Sequence, residues 1–513
     1  MTNKIASATK IQRREFLQKM AGATAGITLA SLGHAASVGA PTSGKKPRNI
    51  VWIMSDQHRW DVTGFSGNPV VQTPNLDRLA WEGACLANHY CQFSVCVASR
   101  TSMVTAQYPP TNGVTANADF HNMKNFRSRP TAIPALNQAG FTTMLCGKGH
   151  MPTMSFQDRL DIFEDYKDYV PDPIAAETAA AEEAYNQAYG IKSKKAPKEA
   201  RLSAERNSKF IPFSILADHE REALIAGYVE KFLQKNAGKP FFMWVSFGLP
   251  HPPWMVPEPY NSRYKNRELP FPPYPFSKAD FDMMHPALQN RVDHKSSPVE
   301  VHNCIRAYYA AVEFMDAQGG KVLAALQKHN VLDQSIIAYT SDHGEDLYNH
   351  GMWGKGDLYE GAAHVPALLW CPDLIKAGTV INRATENISL LPTLFDYAGV
   401  PFPAAIGGKP VDGHSLSDLI ANPNIADDKV PDQAFCWLRW CYMVRRGPYK
   451  YIYYLPAKHA ENFKHQLFDL SRDPAETRNL IDDPNCREIA RDLKQRIERQ
   501  FPHPWAQTSY EAE

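Results

Sequence analysis

The chain has 513 residues, with 55 basic and 54 acidic side chains and a formal net charge of +1. That length can bury a large core in more than one domain, and the balanced charge excludes a basic field for nucleic acid and an acidic tail. Nine cysteines leave at least one unpaired, and their spacing shows neither a CxxC pair nor a zinc pattern. The first legible element is an address. Gln12-Arg13-Arg14-Glu15-Phe16-Leu17-Gln18-Lys19 precedes a mild Ala/Gly-rich run from Met20 to Ala40. A charged head, a weakly apolar middle and small residues at the end describe an export signal over residues 1–40, cleaved between Ala35 and Ala40. The paired arginines point to the twin-arginine export machinery and a periplasmic or secreted protein. A membrane helix is the competing reading, and the shortness of the run and its Ala, Gly, Ser and Thr content argue against it.

Ile50-Val51-Trp52-Ile53-Met54 reads as a buried parallel-type strand that ends at Ser55-Asp56-Gln57. Thr73 to Gly83 reads as a helix, capped by Thr73, with Pro74 in the first turn and Gly83 as the stop. Cys96-Val97-Ala98-Ser99-Arg100 opens another helix, with Ser99 as the expected N-cap and Arg100 favouring an anion beside the cysteine. By itself such a cysteine is more often a buried apolar residue. Thr142 to Cys146 leads to Gly147-Lys148-Gly149-His150, Phe241 to Phe247 to Leu249-Pro250-His251, and Ser335 to Thr340 to Ser341-Asp342-His343-Gly344. Asp218 to Asn236 and Cys304 to His329 carry helical spacing before the last two strands. Strands alternating with helices predict an α/β sheet. Four strands delivering Asp, Lys or His past their C-terminal ends predict one shared site at that edge.

Asp161 to Asn207 is polar and reads as a solvated insertion. Pro257 to Val299, dense in Pro, Phe and Tyr, starts just after His251 and is expected to wall the pocket. From Val430 short antiparallel strands are expected around turns such as Gly447-Pro448, then an amphipathic helix from Glu488 to Gln500. The expected division is a catalytic α/β domain over 46–425 and a smaller C-terminal α+β domain over 430–513.

The Cys96 to Arg100 stretch resembles the sulfatase signature, Cys-x-Pro/Ala-Ser-Arg with a later Thr-Gly, except that Ala98 stands for Pro and Ala106 for Gly. The resemblance extends over nearly the whole mature chain: Asp56-Gln57, Thr73 to Leu79, Gly147-Lys148-Gly149-His150, Pro250-His251, Thr340-Ser341-Asp342-His343-Gly344-Glu345 with Trp353-Gly354-Lys355-Gly356, and Gln466 to Leu470 with Asp473-Pro474 and Glu476 to Leu480. It departs at Gln57, often Asp, and at His364, often Arg, where the substrate pocket is expected to differ. It implies an alkaline-phosphatase-like fold: a large mixed, mostly parallel sheet flanked by helices, with a smaller C-terminal α+β domain.

The resemblance also implies a mechanism. A maturation enzyme oxidises Cys96 to formylglycine, whose hydrate is the nucleophile. Asp56, Gln57, Cys96, Asp342 and His343 form the metal set, and mostly oxygen ligands favour calcium over zinc. Asp342 takes the nucleophile's proton; Arg100, Lys148 and Lys355 offset charge on the transferring group; His251 protonates the leaving oxygen and His150 assists sulfate release. The expected substrate is an aryl or carbohydrate sulfate ester. Rival readings are a phosphonate monoester or phosphodiester hydrolase on the same fold, and an inactive sulfated-glycan-binding member. Trp254, Tyr260 and Tyr274 are candidates to stack on a sugar or aryl ring, or else to pack loops.

Overall fold

A computed structural model of the chain describes residues 48–161, 221–252, 254, 256–269, 272, 281–294, 296–456 and 463–502. The export signal, nearly all of the polar insertion and Tyr274 lie outside them.

Eight strands make the main sheet: β1 (Asn49–Ser55), β2 (Ala84–Tyr90), β3 (Thr142–Gly147), β4 (Asp158–Asp161), β5 (Phe241–Ser246), β6 (Ser335–Ser341), β7 (Ala367–Trp370) and β8 (Thr379–Glu386). Their order is β4-β3-β5-β1-β6-β7-β2-β8. Only β7 is antiparallel to its neighbours. Val51 and Ile53 of β1 pack into the core on one face, and Ile50, Trp52 and Met54 into the core on the other. Burial on both faces is why the strand reads as an unbroken apolar run. Trp52 stacks on Trp244 of β5 with ring centroids 4.2 Å apart.

The first face is covered by α1 (Pro74–Glu82), α3 (Arg221–Asn236) and α4 (Pro298–Lys328), the second by α2 (Cys96–Thr105) and α5 (Leu390–Ala398). Two helix starts differ from expectation. Thr73 does not cap α1 with its side chain; its hydroxyl accepts from Gly64 N and donates to Asp77. α4 begins at Pro298, ahead of the start at Cys304 that the apolar spacing suggests, because Ser297 and Glu300 form a capping box.

β9 (Ala405–Ile406) and β10 (Lys409–Pro410) form a small ribbon. β11 (Gln433–Leu438), β12 (Cys441–Arg446), β13 (Tyr449–Tyr454) and β14 (Gln466–Asp469) then form an antiparallel sheet in sequence order. Gly447, at φ 50, turns β12 into β13 as the sequence predicts. α6 (Arg487–Gln500) sends Leu493 and Ile497 into a third core, which this sheet shares with Tyr90, Phe93, Val97 and Ala98. The first turn of α2 therefore packs against the C-terminal sheet. All nine cysteines lie among the described residues, buried and outside any disulfide.

Candidate active site

β3, β5, β1 and β6 are consecutive and parallel, so their C-terminal ends share one edge. Asp56 follows β1, Lys148 follows β3, Asp342 and His343 follow β6, and His251 lies on the loop after β5. Gly147 has φ 105, and a Cβ there would lie 1.9 Å from Ser246 O, so only glycine lets the chain turn and deliver Lys148.

α2 begins at Cys96, with Val95 at the N-cap. Ser99 is not the cap; it lies inside the helix and its hydroxyl donates to Asp342 O at 2.5 Å. The helix is buried on every side, between the main sheet and the C-terminal sheet, so its start carries no exposed polar cap. Asn117 Oδ1 accepts from Val97 N instead, at 3.0 Å. Ala106 ends the helix in the left-handed region, φ 50, a conformation glycine takes without steric cost.

Arg100 is wholly buried and its guanidinium is already engaged. Nε donates to Asp342 Oδ2 at 2.6 Å, Nη2 to Asp56 Oδ2 at 2.9 Å, and Nη1 to Lys148 O and Ser246 Oγ at 2.8 and 2.9 Å. The expectation that it faces the transferring group gives way to this geometry: it clamps the two carboxylates. Lys148 Nζ lies 2.6 Å from Asp56 Oδ2. Burial pushes the Asp56 carboxyl up, but Lys148, His251, Arg100 and Lys355 outweigh it and hold the group well below the usual carboxylate range.

Asp56, Cys96, Asp342 and His343 each offer one ligand atom, all within 4.8 Å of one another and all buried. His343 Nδ1 lies 2.9 Å from Gly344 O, which fixes its proton there and leaves Nε2 free, 3.1 Å from Cys96 Sγ and 3.7 Å from Asp342 Oδ1. Two buried carboxylates, an imidazole lone pair and position 96 fit a divalent cation. Gln57, at φ 67, lies beside this set; Lys355 Nζ donates to its amide oxygen at 2.6 Å and its amide nitrogen donates to Glu345.

The remaining expected residues also converge. Lys355 Nζ is 3.1 Å from Cys96 Sγ. Burial and Asp56 raise the Cys96 thiol, but Lys355, Lys148 and His343 carry it well below its ordinary value. His150 bonds to Cys96 beside the Phe120 ring, and burial lowers it to about 4. Burial, Lys355 and Lys148 hold His251 well below its usual value, and its Nδ1 donates to Pro252 O at 2.7 Å. Glu222 of α3, which no local sequence signal marks, fixes the His251 loop by accepting from Gly248 N and Leu249 N at 3.1 and 3.0 Å. Ser246 is likewise unmarked, although it ends an apolar strand.

His364 is buried between the Trp60 and Tyr90 rings, bonded to Glu360 at 2.7 Å and to Ala87 O at 3.0 Å. Glu360 and Glu476 flank Lys450 of β13 at 3.0 and 2.8 Å, joining the two sheets. Trp254 donates to Pro250 O and meets Tyr308 and Trp353, while Tyr260 packs on Phe314. Both hold loops together.

The family profile described as Sulfatase matches residues 48–400, and the profile described as N-sulphoglucosamine sulphohydrolase, C-terminal, matches residues 348–502. The chain is 26% identical to an arylsulfatase of Clostridium perfringens over 86% of this chain and 91% of that protein. It is 28% identical to the iduronate 2-sulfatase of Mus musculus over 69% of each. Its fold is similar to that of the phosphonate monoester hydrolase of Agrobacterium radiobacter, with a TM-score of 0.71, 22% identity and coverage of 88% and 95% of the two chains.

Proposed function

The chain belongs to the sulfatase family and is a sulfuric ester hydrolase, and on that premise we propose an exported, calcium-dependent enzyme that cleaves an aryl or carbohydrate sulfate with a formylglycine nucleophile at position 96. The observation that carries this reading is Cys96 Sγ set among His343, Lys355 and the Asp56 and Asp342 carboxylates at one sheet edge. Asp56, Asp342, His343 and position 96, with Gln57 beside them, would hold a calcium ion, which would supply positive charge to a sulfate oxygen and to an oxygen nucleophile. An aldehyde at position 96, made from the thiol by a maturation enzyme, supplies two hydroxyls on hydration, one to attack and one to expel sulfate.

The chain's own residues do the rest. Arg100 holds both carboxylates in register. Asp342 takes the nucleophile's proton. Lys148 and Lys355 offset the charge on the sulfuryl oxygens. Burial lowers His251 most, and Lys355 and Lys148 add to it; an anion among those lysines counters their share and so favours a proton on Nε2 for the leaving oxygen. His150, against Cys96, serves the sulfate-releasing step. The Arg13-Arg14 pair supports twin-arginine export, and replacing both with Lys should trap the protein inside; unchanged export would contradict this.

The test offers nitrophenyl sulfate, sulfated glycans, phosphonate monoesters and phosphodiesters to protein produced with a maturation enzyme. Sulfate release with the highest kcat/KM on a sulfate ester is expected. Preference for a phosphorus ester, or glycan binding without turnover, would overturn the proposal.

A further inference from the structure

Lys355 sits on the long loop between β6 and β7 rather than on a regular element. The loop closes on itself, with Asp346 N donating to Gly354 O at 2.8 Å and the Glu345 carboxylate accepting from Gly354 N at 2.6 Å and Leu347 N at 3.0 Å. Those bonds hold Gly354, and Ser94 Oγ donates to Asp357 O at 2.6 Å. Arg291, from the far end of the Pro257–Val299 insertion, grips the loop from outside. Its Nη2 lies 3.0 Å from Asp346 Oδ2, 2.9 Å from Asp357 Oδ2 and 3.3 Å from Trp353 O, and its Nη1 donates to Lys355 O.

Gly356, at φ 101, leaves room for this approach; a Cβ there would stand 2.9 Å from Arg291 Nη1. The segment carrying Arg291 is itself tied to the loop, through Asp293 N to Gly351 O at 2.7 Å and Trp353 Nε1 to Asp293 Oδ2 at 3.0 Å. Asp346 and Asp357 are buried, with side-chain exposures of 0% and 1%, so these are not solvent-screened surface pairs. Burial and the neighbouring Asp357 push the Asp346 carboxyl well up while Arg291 opposes them, so removing the guanidinium takes from both carboxyl groups the cation that links them across the loop.

We infer that Arg291 is a positioning residue that sets the Lys355 ammonium between Cys96 and Gln57, tying the insertion to the chemistry. The inference rests on the role given to Lys355 under the proposed function. Arg291 touches only the main chain of Lys355, so Lys355→Ala removes the ammonium and leaves the grip intact.

The test measures Arg291→Met and Arg291→Lys in the wild-type and Lys355→Ala backgrounds, reading kcat and KM on nitrophenyl sulfate. In parallel, acylation of Lys355 by an amine reagent is followed by peptide mass spectrometry, with exposed Lys376 as the control. Arg291→Met is expected to lower kcat/KM by about 10²-fold, mostly through kcat, as a misplaced catalytic group does. Arg291→Lys should lose less, and in the Lys355→Ala background Arg291→Met should cost under about 2-fold. Lys355 acylation should rise in Arg291→Met with Lys376 unchanged. Equal losses in both backgrounds, or unchanged Lys355 acylation, would overturn the inference. If Arg291→Met does not fold, Arg291→Lys carries the same two comparisons. If the wild type turns over no sulfate ester, the functional reading fails while the acylation result still decides where Arg291 holds Lys355.

Discussion

Asp56, Lys148 and Asp342 follow directly on β1, β3 and β6, whereas His251 and Lys355 ride on loops beyond the sheet. The two groups meet around Cys96 but are held by different physics. The first takes its place from the sheet's ladder of backbone hydrogen bonds and from Arg100, one residue bridging both carboxylates. The second has no ladder beneath it. Glu222 holds the His251 loop and Arg291 the Lys355 loop, each from a segment remote in sequence. The difference teaches that the two carboxylates proposed to hold the cation are placed by the sheet and one arginine, while His251 and Lys355 depend on individual side-chain locks.

The largest effect should come from breaking the sheet half. Asp342→Ala should lose bound calcium and lower kcat/KM by at least about 10³-fold, checked by metal content alongside rate; excess chelator should do the same to the wild type. Calcium retained at full stoichiometry in Asp342→Ala would erase the distinction between the halves. His251→Ala comes next and should keep its metal. General acid assistance is typically worth about 10²-fold or more, and it should fall on a sugar sulfate, whose alkoxide needs a proton, far more than on nitrophenyl sulfate. Equal kcat/KM losses on the two substrates would move the acid to another residue, His150 first.

Glu222→Gln weakens a lock without touching the site. It should cost between about 2- and 10-fold in kcat on the sugar sulfate, the worth of hydrogen bonds to one loop, with metal content unchanged. Lys450→Met should do least to activity, under about 2-fold per folded molecule, yet destabilise the protein by about 3–5 kcal/mol because Glu360 and Glu476 lose their shared buried cation. Denaturant unfolding with a parallel rate assay separates the two readouts.

The same contrast explains what can be read in advance. Asn49–Ser55 and Ser335–Ser341 announce themselves because strands buried on both faces must be apolar throughout, and a carboxylate directly after such a run has few other uses. The C-terminal strands are legible from their turns, as at Gly447-Pro448. Ser99 misleads because the capping rule assumes a solvated helix start, and this one is buried against a second sheet. Arg100 reads as an anion ligand because its pairing with Asp56 and Asp342 spans 44 and 242 residues, beyond any local pattern. His364 stands out as a departure in the resemblance, and the partners it finds, Glu360 and the Trp60 and Tyr90 rings, come from distant parts of the chain or carry no local signal. Glu222 and Arg291 look like ordinary helix and loop charges until the fold brings them under the loops they hold.

The most direct test of the account is the mass of the peptide containing Cys96, taken from enzyme whose specific activity is measured on the same sample. The account predicts a peptide lighter than the thiol form and reactive with hydrazides, in a fraction that tracks activity. An unmodified Cys96 thiol in fully active enzyme would contradict it.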